Sequence, residues 1–304
     1  MIIDAHAHVY EILAGYGARG EYRPLGKGRG IWATGEIEQF FPEEYGDLGF
    51  HTETLLRLME ENGVDHAVLL QGGNYGFHND YAAEAARKYP DKFTAVGTLD
   101  PYGCKAEKIL DRFITEHGFK ALKFELSQSW GLTGYHPGLR LTDPCFAPIL
   151  ERANQLGMTV TIDMGPMSNS SFDTDQLMTI RNQYPNVMFV MTHCFFPGKD
   201  GKNDYRLQKM KELAADNFVF DIANLPLFVY PEPCPFPSQQ EFVRKAKDLV
   251  GANRLIWGTD LPCTFLKFTY KEMIEFVTRG NVFTDDEIDL IMAENAKVAY
   301  HIDP

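Results

Sequence analysis

The sequence has no long hydrophobic run and a shortage of basic residues. None of its apolar stretches approaches the roughly 20 residues that a membrane-spanning helix needs. Its 304 residues include 29 lysines and arginines against 42 aspartates and glutamates, a formal net charge of −13. Proteins that bind nucleic acid or an anionic membrane present a basic surface. We therefore predict that neither is a partner, although a few local cations could still hold a small anionic substrate.

Cysteine is also scarce and shows no paired spacing. An odd, dispersed set is typical of reduced thiols and not of a disulfide framework. The five cysteines are Cys104, Cys145, Cys194, Cys234 and Cys263. The chain also begins without the basic segment that opens a secretory signal. These absences predict a cytoplasmic protein.

Strand-like and helical segments alternate regularly along the chain. Eight apolar runs, typical of strands buried on both faces, lie at 2–8, 65–72, 93–100, 120–126, 159–165, 188–194, 218–224 and 254–260. Amphipathic segments lie between and after them, at 52–63, 80–89, 106–118, 145–157, 175–184, 205–216, 239–251, 269–279 and 284–300. This order predicts an α/β fold, a closed (β/α)8 TIM barrel. An open doubly wound sheet is the second choice, because the glycine-rich turn that usually follows its first strand is missing.

Two connections are unusually long for such a fold. Residues 10–50 follow the first strand and residues 225–238 follow the seventh. Loops longer than about 12–15 residues are often lids or binding loops. Both would lie at the carboxyl ends of the strands, where the active sites of barrels are found.

Ionisable side chains stand near the carboxyl ends of several strands. In the first strand, IIDAHAH, the residues Asp4, His6 and His8 alternate and are expected to share one face. The fourth to eighth strands add Lys123, Glu125, Asp163, His193, Asp221 and Asp260. Ionisable groups are costly to bury without a partner, and a divalent cation would serve converging imidazoles and carboxylates. Each residue alone has a plainer explanation as a helix cap, core histidine or ion pair, so the joint pattern predicts the metal site.

Four stretches make the sequence resemble the amidohydrolase superfamily. They are IDAHAH at the first strand, GFKALKFE at the fourth, MTHC at the sixth and LIWGTD at the eighth. The resemblance is to the branch that contains metal-dependent decarboxylases and small-ring hydrolases or lactonases, and it spans the whole chain. It implies one amidohydrolase-like TIM-barrel domain over residues 1–304.

The resemblance also implies a role for each matching residue. His6 and His8 match the metal ligands of the first strand. Asp260 matches a last-strand aspartate that binds the metal and can also move a proton. His193 matches a catalytic histidine that acts as acid or base, and Lys123 matches a lysine that binuclear relatives can carry as a carbamate. The implied cofactor is one divalent metal ion, zinc or manganese.

Two positions depart from the family pattern. The fifth strand usually ends in a histidine ligand, but here it ends in Asp163. Asp163 could be an oxygen ligand of the metal, a partner of another site residue or the sign of an incomplete site. Glu125 stands where relatives often have histidine, and it could be a ligand, a base or the ion-pair partner of Lys123. A further carboxylate ligand would favour Mn²⁺ or Mg²⁺ more than a histidine-rich site does, although Zn²⁺ tolerates one.

The predicted activity is metal-dependent hydrolysis of a small, carboxylated or cyclic substrate, such as a lactone, ester or amide. Non-oxidative decarboxylation of a small aromatic or muconate-like acid is the alternative, because both reactions use one metal and one acid–base histidine. A non-catalytic barrel with a decayed metal site is the third hypothesis. Arg29 and, less firmly, Arg23 and Lys123 are candidates to bind an anionic group of the substrate, and Glu125 is a further candidate substrate-binding residue. The sequence leaves the oligomeric state open, a homo-oligomer included.

Overall fold

All eight predicted strands form in the computed structural model, which describes residues 1–303. In chain order, the strands of this part of the chain are β1 (Ile3–Ala7), β2 (Tyr16–Gly17), β3 (Gly20–Gly26), β4 (Arg29–Trp32), β5 (Ile37–Gln39), β6 (His66–Leu69), β7 (Phe93–Ala95), β8 (Ala121–Glu125), β9 (Thr159–Asp163), β10 (Met188–Met191), β11 (Phe218–Asp221) and β12 (Leu255–Ile256). The predicted strands correspond to β1 and to β6 through β12. Each observed strand lies within its predicted range.

Hydrogen bonds join these eight strands into a barrel. β1, β6 and β7 pair in parallel in one sheet, and β8 to β12 pair in parallel, in chain order, in a second. At one junction the N–H of Lys123 donates to the carbonyl of Gly97, just after β7, at 2.8 Å. At the other, the N–H of Ala5 donates to Trp257 at 3.1 Å and the N–H of Asp260 donates to His6 at 2.7 Å. The carboxyl ends of all eight strands therefore meet at one mouth, as the (β/α)8 prediction requires.

The helices follow the alternation that the sequence predicts. Their bounds are α1 (Thr52–Asn62), α2 (Asn79–Lys88), α3 (Ala106–Arg112), α4 (Ala147–Leu156), α5 (Thr174–Gln183), α6 (Asn203–Leu213), α7 (Pro237–Val250), α8 (Tyr270–Thr278), α9 (Asp285–Asp289) and α10 (Asn295–Tyr300). The predicted helices 106–118 and 284–300 each contain a π-helical turn, at Phe113–His117 and Leu290–Glu294. Across residues 1–303, no helix combines the length and the apolar character that crossing a membrane demands.

Alternate residues of the strands build two apolar cores. One core contains strand residues such as Ile3, Val190 and Ile256 together with residues of α10. The hydroxyls of Thr161 and Tyr300 lie 2.9 Å apart, so α10 packs against the same face of β9. The intervening strand residues pack in a second, larger core with the other helices. Because both strand faces are buried, the strands lack the polar alternation of a half-exposed sheet.

The segment 10–50 is not an irregular loop. It contains a four-stranded antiparallel sheet in the order β2-β3-β4-β5, which we call the ribbon (residues 16–39). Tyr22 and Trp32 point to the buried side of the ribbon, and Arg29 is exposed on β4. The period-2 alternation of buried and exposed residues in β3 and β4 is the local reason for strand formation.

The second long connection is less regular. It begins with a short 3₁₀ helix at Leu225–Val229, and α7 begins at Pro237, where a proline is well tolerated in the first turn. Leu227 and Phe228 of this segment line the cavity described below. The prediction that residues 225–238 lie at the barrel mouth therefore agrees with the structure.

Candidate active site

Three predicted ligands meet at the mouth of the barrel. Nε2 of His8 lies 3.0 Å from Oδ1 of Asp260, and Nε2 of His6 lies 3.4 Å from the same oxygen. One donor atom from each residue lies within 4.8 Å of the others, and all three residues are buried. We call His6, His8 and Asp260 the metal cluster.

In His6 and His8, the hydrogen-bond partner of Nδ1 determines whether Nε2, the nitrogen that faces Asp260, carries a proton. Nδ1 of His8 lies 3.0 Å from the carbonyl of Leu70, which can only accept, so Nδ1 carries the proton. Nδ1 of His6 lies 2.5 Å from Oδ2 of Asp221 and is oriented by that carboxylate. In the neutral rings both Nε2 atoms then present lone pairs to a carboxylate oxygen. Such an arrangement is repulsive unless a cation lies between the three donors.

The protonation states of the metal cluster fit a divalent cation. Burial lowers the pKa of both His6 and His8, which keeps the rings neutral. Burial acts to raise the pKa of Asp260, but the protonated ring of His193 acts against it, and that pKa lies below its usual range. Nε2 of His6 is buried without any hydrogen-bond partner. Two neutral imidazole nitrogens and one carboxylate oxygen are a donor set that Zn²⁺ accepts, so the residues present fit the ion.

Asp4 does not share the face of His6 and His8, although simple alternation predicts that it should. Asp4 pairs with Ala67 but Ala7 pairs with Leu69, so β1 contains one extra residue, a β-bulge. The Asp4 carboxylate instead accepts the Thr259 N–H at 2.9 Å, the Thr259 hydroxyl at 2.6 Å and the Tyr270 hydroxyl at 2.7 Å. Asp4 thereby ties the strand that carries the histidines to the segment that carries Asp260.

His193 lies next to the metal cluster and faces two carboxylates. Its Nδ1 donates to the carbonyl of Ala223 at 2.9 Å. Its Nε2 lies 3.5 Å from Oδ2 of Asp163 and 3.9 Å from Oδ2 of Asp260. Burial opposes protonation of the ring, but the carboxylates of Asp163, Asp260 and Asp221 outweigh burial and raise the pKa of His193 to about 9. A histidine in this setting can accept a proton and keep it.

The turn that carries His193 is strained. His193, Cys194, Phe195 and Phe196 have φ between 44° and 64°, the left-handed region that L-residues other than glycine seldom occupy. Such strain persists only where the surrounding structure holds it, and it concentrates at functional sites. The turn directs the imidazole of His193 back over the barrel mouth.

Asp163 belongs with His193 in the structure. The group of donors that could hold a metal contains His6, His8 and Asp260, and Asp163 is not among them. Burial acts to raise the pKa of Asp163, but His193 and Lys123 outweigh it and lower that pKa to about 2. The expectation that Asp163 is a metal ligand therefore has no geometric support here. Of the three roles left open by the sequence, the structure favours that of a partner to another site residue.

Lys123 and Glu125 lie on the same strand, β8, and face the same cavity. Nζ of Lys123 lies 3.5 Å from Oε2 of Glu125, and Oε1 of Glu125 accepts the Ser127 hydroxyl at 2.5 Å. Burial and the neighbouring Asp163 raise the pKa of Glu125 to about 7. We call Lys123, Glu125, Asp163 and His193 the acid–base row.

A cavity of about 670 Å³ connects the metal cluster to the surface. Six of the predicted site residues line it: His8, Lys123, Glu125, Asp163, His193 and Asp260. Its walls are rich in aromatic side chains from five segments of the chain: Phe40, Tyr75, Trp130, Phe196 and Phe228.

Arg29 is not part of this cavity. It is exposed on β4 and pairs with Gln39 of the ribbon, outside the residues that line the cavity. Arg23 is also exposed and outside the lining. The structure gives no support to the expectation that Arg29 binds an anionic substrate group, because strand alternation turns its side chain to solvent, while Gly30 and Trp32 are buried.

Two cavity residues escaped the sequence reasoning. Arg206 on α6 lines the cavity, but its guanidinium is held by Asp200 at 2.7 Å and by the carbonyl of Phe195 at 2.8 Å. On an amphipathic helix such a residue resembles a surface charge, so no signal distinguished it. Asn224 also lines the cavity and follows β11 by three residues, a polar strand-end position that could have been noted.

Comparisons with known proteins agree with the fold. A family model described as amidohydrolase matches residues 3–302. No curated protein sequence matches the chain significantly. Among solved structures, a probable 2-pyrone-4,6-dicarboxylic acid hydrolase from Acinetobacter baumannii is 19% identical, with 99% of each chain covered and a TM-score of 0.69.

Two further solved structures are similar to this chain. An amidohydrolase from Burkholderia multivorans is 14% identical, with 100% of each chain covered and a TM-score of 0.74. A 2,6-dihydroxybenzoate decarboxylase from Rhizobium is 16% identical, with 83% of this chain and 88% of that chain covered and a TM-score of 0.61. At these identities the likeness shows a shared fold.

Proposed function

Because the chain belongs to the amidohydrolase family, we propose that it is a metal-dependent hydrolase of a small, carboxylated or cyclic compound such as a lactone, ester or amide. One observation carries this proposal: Nε2 of His6 and Nε2 of His8 converge on Oδ1 of Asp260, directly beside His193. The cavity above them has room for a small molecule.

His6, His8 and Asp260 would hold the ion. Such an ion, when bound, supplies Lewis acidity, which polarises a substrate carbonyl and makes a nearby water molecule more acidic. Two imidazoles and a carboxylate suit Zn²⁺, and Mn²⁺ also accepts this mixture of nitrogen and oxygen donors. We propose one divalent ion per chain, Zn²⁺ or Mn²⁺.

His193 moves the proton in this proposal. Its Nδ1 is occupied by the carbonyl of Ala223, so Nε2 is the atom that exchanges the proton. With a divalent cation bound beside it, the charged form of the ring would be disfavoured, so the neutral Nε2 could take a proton from water and return it to the leaving group. The protonated ring is stabilised by Asp163, whose Oδ2 is 3.5 Å from Nε2. A histidine–carboxylate pair of this kind suits general-base work, because the carboxylate favours the charged form of the ring.

The cavity walls favour a planar substrate with few charges. Most of the charged groups that line it already have a counter-charge: Glu38 with Arg19, Asp200 with Arg206 and Glu125 with Lys123. The Lys123 pair is the loosest, at 3.5 Å, and leaves its ammonium available to a substrate carboxylate or carbonyl oxygen. Phe40, Trp130 and Phe228 would flank an unsaturated ring.

Decarboxylation of a small aromatic acid is the second candidate. The aromatic walls of the cavity favour it, because they suit a benzoate-like ring as well as a lactone. In that reaction a protonated side chain near the ring carbon delivers a proton as CO₂ leaves, and His193 is placed for either task.

Product analysis separates the two reactions. The metal-loaded protein is incubated with 2-pyrone-4,6-dicarboxylate, simple aryl lactones and 2,6-dihydroxybenzoate, with a chelator-treated sample as control. We expect a ring-opened acid without CO₂ release, and no turnover after chelation. Release of CO₂ from the benzoate would make the protein a decarboxylase. No divalent ion and no turnover, even after loading with Zn²⁺ or Mn²⁺, would support the non-catalytic barrel.

A further inference from the structure

The two carboxylate oxygens of Asp260 lie in different surroundings. Oδ1 faces Nε2 of His8 at 3.0 Å and Nε2 of His6 at 3.4 Å. Oδ2 points away from them and accepts the side-chain N–H of Asn224 at 2.7 Å. The next nearest polar groups to Oδ2 are Sγ of Cys263 at 3.7 Å and Nε2 of His193 at 3.9 Å. Asn224 is therefore the closest partner of the oxygen that the metal cluster leaves unused.

The neighbouring hydrogen-bond donors and acceptors determine which way the Asn224 amide is turned. Its Nδ2 lies 2.7 Å from Oδ2 of Asp260, which can only accept, so the NH₂ end of the amide faces the carboxylate. Turning the amide over would place its oxygen against Oδ2 of Asp260, where two acceptors would repel each other. The backbone of Asn224 has a φ of 61°, a left-handed conformation that asparagine tolerates better than most residues. The carboxylate itself therefore determines that the amide presents its donor to Asp260.

We propose that Asn224 is a positioning residue that keeps Asp260 as a one-oxygen ligand. This inference rests on the metal centre of the proposed function. A carboxylate whose Oδ2 is engaged in a short, charge-assisted hydrogen bond cannot swing to chelate an ion with both oxygens. Asn224 thereby determines which oxygen of Asp260 faces the two imidazoles.

The test compares two buried asparagines. Asn224→Gly removes the amide but keeps the left-handed backbone, which glycine adopts without strain. Asn295→Ala is the matched control, because Asn295 is equally buried and its amide holds the carbonyls of Ala252 and Leu255, at the start of β12. Each protein is titrated with Zn²⁺ against a chromophoric chelator, and its melting temperature is measured in the metal-free form. Absorption spectra of the Co²⁺-loaded proteins report the coordination number.

We expect Asn224→Gly to bind Zn²⁺ about 10–100-fold more weakly than the wild type, the effect typical of removing a partner that orients a metal ligand. Its Co²⁺ absorption should weaken, because Asp260 becomes free to offer a second oxygen and the coordination number rises. Asn295→Ala should lower the melting temperature and leave Zn²⁺ affinity and the Co²⁺ spectrum unchanged.

Three results would overturn the inference. They are wild-type affinity in Asn224→Gly, an equal loss of affinity in both variants, or a wild-type chain that binds neither ion. Turnover is not needed for any readout. A wild-type protein that binds Zn²⁺ but hydrolyses no substrate would therefore contradict the proposed function and leave the assignment of Asn224 standing.

Discussion

The metal cluster and the acid–base row lie side by side at the barrel mouth, but their buried ionisable groups differ in whether an opposite charge lies nearby. In the row, each charge has an opposite charge about 3.5 Å away: Lys123 with Glu125 and His193 with Asp163. In the cluster, two ring nitrogens face one carboxylate oxygen with no proton to share. Buried charges need partners, so only the cluster requires a cation. A count of carboxylates at strand ends cannot make this distinction.

The largest predicted effect is a loss of turnover on substitution of His193 in the acid–base row. His193→Asn should lower turnover about 10²–10⁴-fold, the usual contribution of a positioned acid or base. The asparagine amide can still donate to the carbonyl of Ala223, so the local fold should persist. Steady-state kinetics on a confirmed substrate, with metal content measured on the same sample, provide the test. Unchanged turnover would remove His193 from the mechanism.

The next prediction separates the row from the cluster directly. Asp163→Asn should reduce turnover about 10–100-fold, because His193 loses the carboxylate that lies 3.5 Å from its Nε2 and orients the ring. Metal content should remain that of the wild type, because Asp163 lies outside the donor group. Should this variant lose its ion, Asp163 would be a ligand and the division between cluster and row would be incorrect.

A third prediction concerns the contact between the ribbon and the cavity wall. The Arg19 guanidinium carbon lies 4.3 Å from the centroid of the Trp32 ring and 4.8 Å from that of Trp130, and its Nη2 lies 2.7 Å from Glu38. Arg19→Met should cost about 1–2 kcal/mol of the free energy of unfolding, because both cation–π contacts and the ion pair disappear. Hydrogen exchange of residues 16–39 should also accelerate.

A matched surface pair provides the control for this change. Arg57→Met breaks an exposed pair with Glu61 on α1 and should change the free energy of unfolding by less than about 0.5 kcal/mol. Equal effects of the two substitutions on denaturant unfolding would show that Arg19 does not fasten the ribbon to the wall.

The smallest predicted effect concerns Arg29. Arg29→Met should leave KM and turnover unchanged within error, because the side chain is exposed and outside the cavity lining. Kinetics with a carboxylated and an uncharged substrate measure this. A KM that rises only for the carboxylated compound would return Arg29 to the substrate site and would mean that the ribbon moves on binding.

The barrel could be predicted because its signal is local and repeated. Eight apolar runs separated by amphipathic segments leave few alternative folds, and each observed strand lies inside its predicted range. The convergence of His6, His8 and Asp260 could be predicted for the same reason, because each lies at or near a strand end. All carboxyl ends of parallel strands meet at one mouth, so distance along the chain does not matter.

The sequence does not predict which side chains of neighbouring strands lie next to one another. The bulge between Asp4 and Ala7 turns Asp4 out of the row of histidines, and no residue in IDAHA marks it. The pairing of Asp163 with His193 depends on neighbouring strands and on a left-handed turn that the letters MTHC do not reveal. The ribbon was expected to be a loop because its strands are short and mix exposed charges with glycine.

Metal analysis of three purified proteins tests the central claim most directly. The wild type, His6→Ala and Asp163→Asn are each loaded with Zn²⁺, desalted and assayed for metal by mass spectrometry. The structure predicts one ion per chain in the wild type and in Asp163→Asn, and nearly none in His6→Ala. A wild-type protein without metal, or a His6→Ala variant that retains it, would contradict the account.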